Sequence, residues 1–300
     1  MKIIKSIFNE YLKKTIATQK KLFIFNYKRK YLANCSVSCN EIGISKEKYC
    51  DNEIIVSLTT HDKRIHEVYL TIESIMQQTM KPNKIILWIS DNFKYSDIPL
   101  ILRNQEKRGL EIRHCKDIRS YTKLIPSLYS FPDAIIITID DDIFYHFELI
   151  ENLFNSYKIN QNLIHCTRMH RMKLINNNKI EKYNKWQLKY KNDDISPLNF
   201  PTGVGGILYP PYSFSEEVFN ENIFLDICKY ADDVWFKAMA LLNGTMSKYI
   251  YNHNNIIGNN ISNKNIEGLK LAKLNIKKEM NDVQLKAVFD KYDLYKYLIK

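Results

Sequence analysis

The stretch Ile135-Ile136-Ile137-Thr138-Ile139-Asp140-Asp141-Asp142 decides the fold. Its five β-branched residues predict a buried strand, and three consecutive aspartates follow directly after it. Carboxylates so close together repel one another and resist ionisation, a conflict that a divalent cation resolves. Because Mg²⁺ or Mn²⁺ is usually held by one or two carboxylates and completed by substrate phosphates, the D-x-D pair of Asp140 and Asp142 indicates a metal site. On the motif alone, an exposed acidic turn is the alternative interpretation.

Short apolar runs precede this strand and alternate with amphipathic stretches. The pattern predicts strands over 54–58, 84–89, 110–113 and 135–139, and helices over 68–78 and 123–129. Strands that alternate with helices in this way predict βαβ crossovers. We therefore expect an α/β fold with a mostly parallel central sheet flanked by helices.

Polar residues follow three of the predicted strands at the point where each strand ends. They occupy positions 59–64, 90–92 and 140–142. Ligands of open α/β sheets bind beyond the carboxyl ends of the strands. The sequence therefore predicts that these three clusters converge on one ligand site.

Two further segments carry candidate chemistry. Asp232 and Asp233 begin a predicted helix that runs to about residue 242. A carboxylate there could accept a proton from a hydroxyl as a general base, or it could simply favour the start of the helix. Glycines within residues 201–206 allow the backbone to approach a ligand closely, and a tight turn is the alternative.

Charge is unevenly distributed along the 300 residues. Residues 1–30 contain nine basic side chains and one acid, Glu10, so they carry +8 of the formal net charge of +11. Apolar residues recur there at three- and four-residue steps, which predicts a basic helix over 1–33. This helix could lie on an anionic membrane, or it could be a solvated helix packed against the main domain. We expect a basic helical extension over 1–50 and one domain over 51–300.

The composition indicates the cellular compartment of the protein as well as its fold class. With 45% hydrophobic and 26% charged residues, the chain is typical of a globular protein. No apolar stretch approaches the roughly 20 residues of a spanning helix, and six scattered cysteines do not suggest a disulfide scaffold. These features predict a cytoplasmic protein, with membrane contact limited to the inner face of the cytoplasmic membrane.

As an ordered set, several motifs resemble bacterial glycosyltransferases of the GT-A fold, in the family-2-like group often found among surface-polysaccharide genes. The matching segments are Val56-Ser57-Leu58-Thr59-Thr60 with Lys63-Arg64-Ile65, Lys84-Ile85-Ile86-Leu87-Trp88, Arg119-Ser120-Tyr121-Thr122-Lys123-Leu124-Ile125-Pro126, Ile137-Thr138-Ile139-Asp140-Asp141-Asp142, Pro201-Thr202-Gly203-Val204-Gly205-Gly206, Ala231-Asp232-Asp233-Val234-Trp235 and Asn281-Asp282-Val283-Gln284-Leu285. The resemblance extends from about residue 54 to 290, or about four fifths of the chain. It implies a metal-dependent enzyme that moves a sugar from a nucleotide sugar to a hydroxyl of a glycan or lipid-linked glycan, with inversion and in capsule or lipopolysaccharide synthesis.

The resemblance also implies a role for individual residues. Asp142 becomes the best ligand for Mn²⁺ or Mg²⁺, and Asp140 a ribose or metal contact. His253, in the C-terminal part of the chain, becomes a further metal ligand. Asp233 or Asp232 becomes the general base, with Asp233 as the preferred candidate. The remaining predicted contacts are with the nucleotide sugar: Thr59 and Asp91 at the nucleoside, Arg64, Arg119 and Lys123 at phosphates, and Asp141 and Gly205 nearby.

Other classes explain less of the sequence. A sugar nucleotidyltransferase of related fold needs a Gly-rich, Arg-containing loop near the first strand, and residues 59–64 contain no glycine. A haloacid-dehalogenase-type phosphatase needs Thr or Val where Phe144 stands. A non-catalytic RNA- or membrane-binding protein accounts for the first 30 residues but leaves the acidic strand end unexplained, since nucleic acid is repelled there.

Overall fold

The computed structural model describes residues 2–176, 179–251, 261–262 and 279–299. Its helices are α1 (Lys2–Ser38), α2 (Val68–Met76), α3 (Leu100–Glu106), α4 (Ile125–Ser130), α5 (Leu149–Ile159), α6 (Glu221–Ile227), α7 (Asp232–Leu242) and α8 (Met280–Tyr292). Its strands are β1 (Ile54–Thr59), β2 (Lys84–Ser90), β3 (Leu110–Cys115), β4 (Ile135–Thr138), β5 (Ile143–Phe144), β6 (Ile164–Cys166), β7 (Met169–Arg171), β8 (Leu174–Asn176), β9 (Lys179–Ile180), β10 (Gln187–Tyr190), β11 (Asn199–Pro201), β12 (Ile207–Tyr209), β13 (Ser247–Tyr249) and β14 (Ile261–Ser262). Among the described helices, none contains a stretch apolar and long enough to cross a bilayer.

The central sheet has seven strands in the order β13-β6-β12-β4-β1-β2-β3. Strand β1 pairs in parallel with β2 and β4, β2 pairs in parallel with β3, and β6 pairs in parallel with β13. Strand β12 runs antiparallel to both of its neighbours. The α/β class predicted for a GT-A domain, with a mostly parallel central sheet flanked by helices, is confirmed by this arrangement.

Both faces of the sheet are covered because its apolar strands send successive side chains to opposite sides. One face carries Ile55 and Ile136 against Trp235 of α7 and Phe289 of α8. The other carries Val56 and Ile137 against helices α2 and α5. Because both faces of the sheet are buried, its strands consist almost entirely of apolar residues.

Helix α1 lies against the domain through its second half. Leu32 is buried in a small cluster with Leu70 and Phe144, and the rings of Phe25 and Phe144 stack with centroids 5.7 Å apart. Arg29 Nη2 forms an ion pair with Glu67 Oε1 at 3.2 Å.

The structure also contains elements that the sequence pattern did not predict. Helices α3, α6 and α8 are absent from the predictions, and the polar segment around 176–194 forms parts of two small antiparallel sheets. Except for α8, these elements are short, and their burial comes from packing against residues distant in sequence. Local periodicity carries little signal for such segments.

Candidate active site

The carboxyl ends of β1, β2 and β4 lie side by side at one edge of the sheet. Ser57 pairs with Thr138 and Thr59 with Trp88, so the three strands end at nearly the same level. Thr59 Oγ1 donates to the Trp88 carbonyl at 3.0 Å. Asp91 follows β2 with its side chain exposed.

Lys123 reaches this edge from a 3-10 helix, Arg119–Lys123, that precedes α4. The hydroxyl of Ser57 on β1 donates to the Lys123 carbonyl at 2.7 Å and fixes the residue beside the sheet. The Lys123 ammonium lies 3.1 Å from Asp140 Oδ1. The same nitrogen lies 2.9 Å from Asp232 Oδ2, as an ion pair rather than a well-directed hydrogen bond.

The three residues just described form, with Asp233, a compact group that we call the ion cluster: Lys123, Asp140, Asp232 and Asp233. Burial opposes the charge on the lysine, but the three carboxylates outweigh it and hold the pKa of Lys123 well above its usual value. The ammonium therefore stays charged. It joins the end of β4 to the start of α7.

Asp233 is the member of the ion cluster best suited to accept a proton. The Gly203 N–H donates to Asp233 Oδ1 at 3.1 Å. Burial and the neighbouring Asp232 carboxylate raise the pKa of Asp233 to about 7, against the effect of Lys123. Neither aspartate caps α7, whose N-cap residue is Ala231 without a side-chain cap bond. A carboxylate with a pKa near neutral pH is the usual form of a general base.

The other two aspartates of the strand end contact Arg64. The Asp141 carboxylate is buried, accepts a hydrogen bond from Thr60 Oγ1 at 2.8 Å and forms an ion pair with Arg64 Nη1. Burial raises the pKa of Asp141 despite this arginine. Asp142 Oδ2 lies 3.4 Å from Arg64 Nη2. Asp141 thus anchors the acidic turn, while Arg64 is held at the turn by two carboxylates.

The donor set at the strand end fits a divalent cation that shares its coordination with a substrate. The side chains of Asp140 and Asp142 are 26% and 23% exposed, whereas that of Asp141 is 5% exposed. Within the described ranges, no group of three or more His, Cys, Asp or Glu side chains is arranged to hold a metal. Mg²⁺ and Mn²⁺ accept one or two carboxylates with phosphate and water as further ligands, so two accessible carboxylates suffice. His253, the third predicted ligand, lies outside the described residues.

The glycine-containing loop over residues 201–206 packs closely against the ion cluster. A Cβ atom on Gly203 would lie 2.7 Å from Lys123 Nζ and 3.3 Å from Asp140 Oδ1. A Cβ atom on Gly205 would lie 2.5 Å from Thr167 Oγ1, whose hydroxyl donates to the Gly205 carbonyl at 2.6 Å. Any side chain at either position would displace these groups.

Two residues of the site have no counterpart in the sequence predictions. Tyr145 is buried, and its hydroxyl accepts from the Asp140 N–H at 2.9 Å and donates to the Val204 carbonyl at 3.4 Å. Arg168 follows β6, is half-buried, and donates to Thr202 Oγ1 at 2.5 Å. Arg168 occupies a strand-end position like the predicted residues, so the same rule applied to β6 would have found it. Nothing in the local pattern marks Tyr145.

Some candidate residues lie apart from the ion cluster. Arg119 adopts a left-handed backbone with φ of 63° and stacks its guanidinium on the Tyr230 ring, 5.3 Å from the centroid. Trp186 is buried at 4% exposure against Tyr183 and Phe200. It belongs to the core of the domain.

Comparisons with known proteins give structural but not sequence matches. No protein-family model and no curated protein sequence matches the chain. A mannosyltransferase from Pyrobaculum calidifontis in complex with GDP-Man and Mn²⁺ aligns at 10% identity with a TM-score of 0.49, covering 95% of this chain and 79% of that one. Residues 1–349 of S. aureus TarS align at 12% identity with a TM-score of 0.43, covering 68% of this chain and 58% of that one. Likeness at these levels does not extend to substrates or residue roles.

Proposed function

We propose that the protein is a metal-dependent glycosyltransferase of the GT-A type that moves a sugar from a nucleotide sugar to a hydroxyl group. One observation carries the proposal. The ion cluster joins the accessible strand-end carboxylate of Asp140 to Asp233, a carboxylate with a pKa of about 7, and the second accessible carboxylate, Asp142, follows two residues after Asp140. This combination suits a reaction that must both hold a diphosphate and deprotonate a hydroxyl.

The protein's own residues supply binding and proton transfer. Asp142 and Asp140 would hold Mn²⁺ or Mg²⁺, which when bound neutralises charge on the departing diphosphate. Thr59 and Asp91 would contact the nucleoside, because Thr59 ends β1 and Asp91 follows β2, and the carboxyl ends of these strands lie at the same edge of the sheet as Asp140. Lys123 and Arg64 pair with carboxylates at this edge, and Arg168 follows β6.

The reaction balances with Asp233 as the base. The acceptor oxygen bonds to the anomeric carbon, the bond from that carbon to the diphosphate oxygen breaks with its electron pair, and the hydroxyl proton passes to the Asp233 carboxylate. Attack from the face opposite the leaving group gives inversion. We infer that Gly203 orients Asp233 through its N–H, which leaves the second carboxylate oxygen for the acceptor.

The acceptor that we propose is a glycan or lipid-linked glycan of the bacterial envelope, modified on the cytoplasmic side. The motif resemblance to enzymes of capsule and lipopolysaccharide synthesis supports this class. The basic helix α1 supports an acceptor at the membrane, because its positive charge would attract the enzyme to an anionic lipid surface.

The test is nucleotide-sugar binding measured by thermal shift. UDP-, GDP-, CMP- and dTDP-sugars are added with and without Mn²⁺, since a ligand that binds the native state raises its stability. We expect a shift with one nucleotide class that requires the metal and is lost in Asp142→Asn with the fold retained. Asp51→Asn is the matched control, because Asp51 is exposed and precedes β1 at the opposite edge of the sheet. No shift with any nucleotide sugar would contradict the proposal.

Transfer itself tests the base. Asp233→Asn removes the proton acceptor without changing side-chain size, and a general base contributes about 10²- to 10⁴-fold to a rate. We expect transfer to the acceptor to fall by that factor while nucleotide-sugar binding is retained. Unchanged transfer would assign the base to another residue.

A further inference from the structure

Helix α1 displays two apolar faces, and the domain covers one of them. Phe25 and Leu32 face the domain, where Leu32 is 2% exposed and Phe25 stacks on Phe144. At 100° per residue these two side chains lie within about 20° of each other on the helix. This face accounts for the packing of α1 on α2 and β5.

The second face lies about half a turn away and is open to solvent. Its apolar members are Leu12, Ile16, Phe23 and Tyr27, which are 45%, 58%, 71% and 59% exposed. Their spacing of four, seven and four residues places them within an arc of about 60°. We call these four residues the outer stripe.

Lysines are interleaved with the outer stripe. Lys20 lies four residues after Ile16 and three before Phe23, which makes it a surface neighbour of both. Lys13 stands three residues before Ile16 in the same relation, and both lysines are exposed. The outer stripe is therefore apolar and cationic at once, without an acidic side chain among residues 12–30.

We propose that the outer stripe docks the protein on an anionic lipid bilayer, with the helix lying in the plane of the interface. Aliphatic and aromatic side chains would enter the acyl boundary, while the lysines would extend to anionic headgroups. Charge argues against a second copy of the chain as the occupant, since it would bring two lysine-rich surfaces together. Nucleic acid could use the aromatic rings and lysines but gains nothing from Leu12 and Ile16. The proposal does not rest on the proposed transferase activity.

Co-sedimentation of the full chain with vesicles tests this docking. We expect binding to phosphatidylcholine vesicles that contain about one third phosphatidylglycerol, little binding to phosphatidylcholine alone, and release by salt. The double variant Ile16→Glu, Phe23→Glu should abolish binding. Its control, Leu100→Glu, Ile159→Glu, makes the same change at residues that are 70% and 83% exposed elsewhere, and should bind like the wild type.

A second pair of variants keeps the test independent of helix stability. Lys13→Gln with Lys20→Gln should weaken binding to anionic vesicles by about fivefold for each lysine removed, whereas Lys46→Gln with Lys107→Gln should change it less. Three results would overturn the proposal. They are equal or absent binding to the two vesicle types, RNA binding that depends on the outer stripe in place of vesicle binding, and a concentration-dependent dimer that the Ile16→Glu, Phe23→Glu variant loses.

Discussion

Two buried lysines, Lys123 at the strand edge and Lys237 on α7, show how differently this domain treats a charge. The Lys123 side chain is 10% exposed and its nitrogen lies about one hydrogen-bond length from two carboxylates, at 3.1 and 2.9 Å. Lys237, one helical turn after Asp233, is 3% exposed, and its nitrogen is buried without a hydrogen-bond partner in the part of the chain described. Burial lowers the pKa of Lys237 to about 7, whereas the surrounding carboxylates hold the pKa of Lys123 well above its usual value.

The contrast shows that burial alone does not decide whether a side chain is charged. At the strand edge, the acidic turn and the start of α7 supply enough negative charge to outweigh the loss of hydration. Lys237 lies on α7 and lines a small cavity with Ile164, Asp233 and Phe236, and there burial, with a smaller effect of the Arg171 charge, lowers its pKa. A buried charge is thus retained where the candidate active site needs one.

Removing the paired lysine has the largest expected effect on this contrast. Lys123→Met leaves three carboxylates without their cation, and breaking a buried ion pair from one side destabilises by about 3–5 kcal/mol. We expect the free energy of unfolding in urea at pH 7 to fall by that amount. Lys237→Met is the matched control, because it makes the same substitution at a similarly buried position.

The expected loss depends on the charge of the carboxylates. Acid removes the negative charge of carboxylates, so the difference between Lys123→Met and the wild type should shrink as the pH falls. Equal stability of the two proteins at pH 7 would mean that the ion cluster does not hold its charges as the geometry indicates.

The unpaired lysine should behave in the opposite way. Lys237→Met removes an amine that must either stay buried and charged or lose its proton, so we expect a gain of about 1–3 kcal/mol at pH 7. Because the native pKa of Lys237 is about 7 and its ordinary value is 10.5, the unfolded chain binds more protons between these pH values. Wild-type stability from this group therefore rises from pH 7 to 10.5, and the advantage of the variant should shrink over the same range.

Urea unfolding at pH 6.5 and 9.5 checks this prediction. A variant less stable than the wild type at pH 6.5 would show that Lys237 has a partner that compensates its charge. In that case both lysines would be charged and compensated, and the contrast between them would fail.

The strand edge was predictable from sequence because an apolar run that stops at polar residues marks both a strand and its end. Residues 54–59 and 135–142 illustrate this, and the structure places their polar ends side by side. The metal-binding role that we propose for Asp140 and Asp142 rests on three like charges in a row. These are local signals, and they need no knowledge of the packing.

The pairing within the site was not predictable in the same way. That Lys123 meets Asp232, and that Arg64 holds Asp141, depends on how α7 and α2 pack on the sheet. From the sequence, both cations are expected to bind substrate phosphates. In the structure, both form ion pairs with carboxylates. Tyr145 supports Asp140 through a contact that only the folded loop creates.

The smallest expected effect separates the two aspartates of α7. Asp232→Asn removes a negative charge that raises the pKa of Asp233, and it leaves Lys123 with two carboxylates, Asp140 and Asp233, in place of three. Both changes lower the pKa of Asp233, so the base ionises at a lower pH. We expect the acidic limb of the pH profile of the transfer rate to move to lower pH by about one unit, because a base with a lower pKa ionises at a lower pH.

A pH profile of transfer at saturating donor and acceptor measures that shift, and Asp226→Asn on α6 is a control at an exposed aspartate. If Asp232 were the base, Asp232→Asn would abolish transfer at every pH and Asp233→Asn would retain it. An unmoved profile with full activity would instead mean that the acidic limb reports another group. The three outcomes differ in both the height and the position of the curve. The profile therefore distinguishes a proton acceptor from a neighbour that only tunes it.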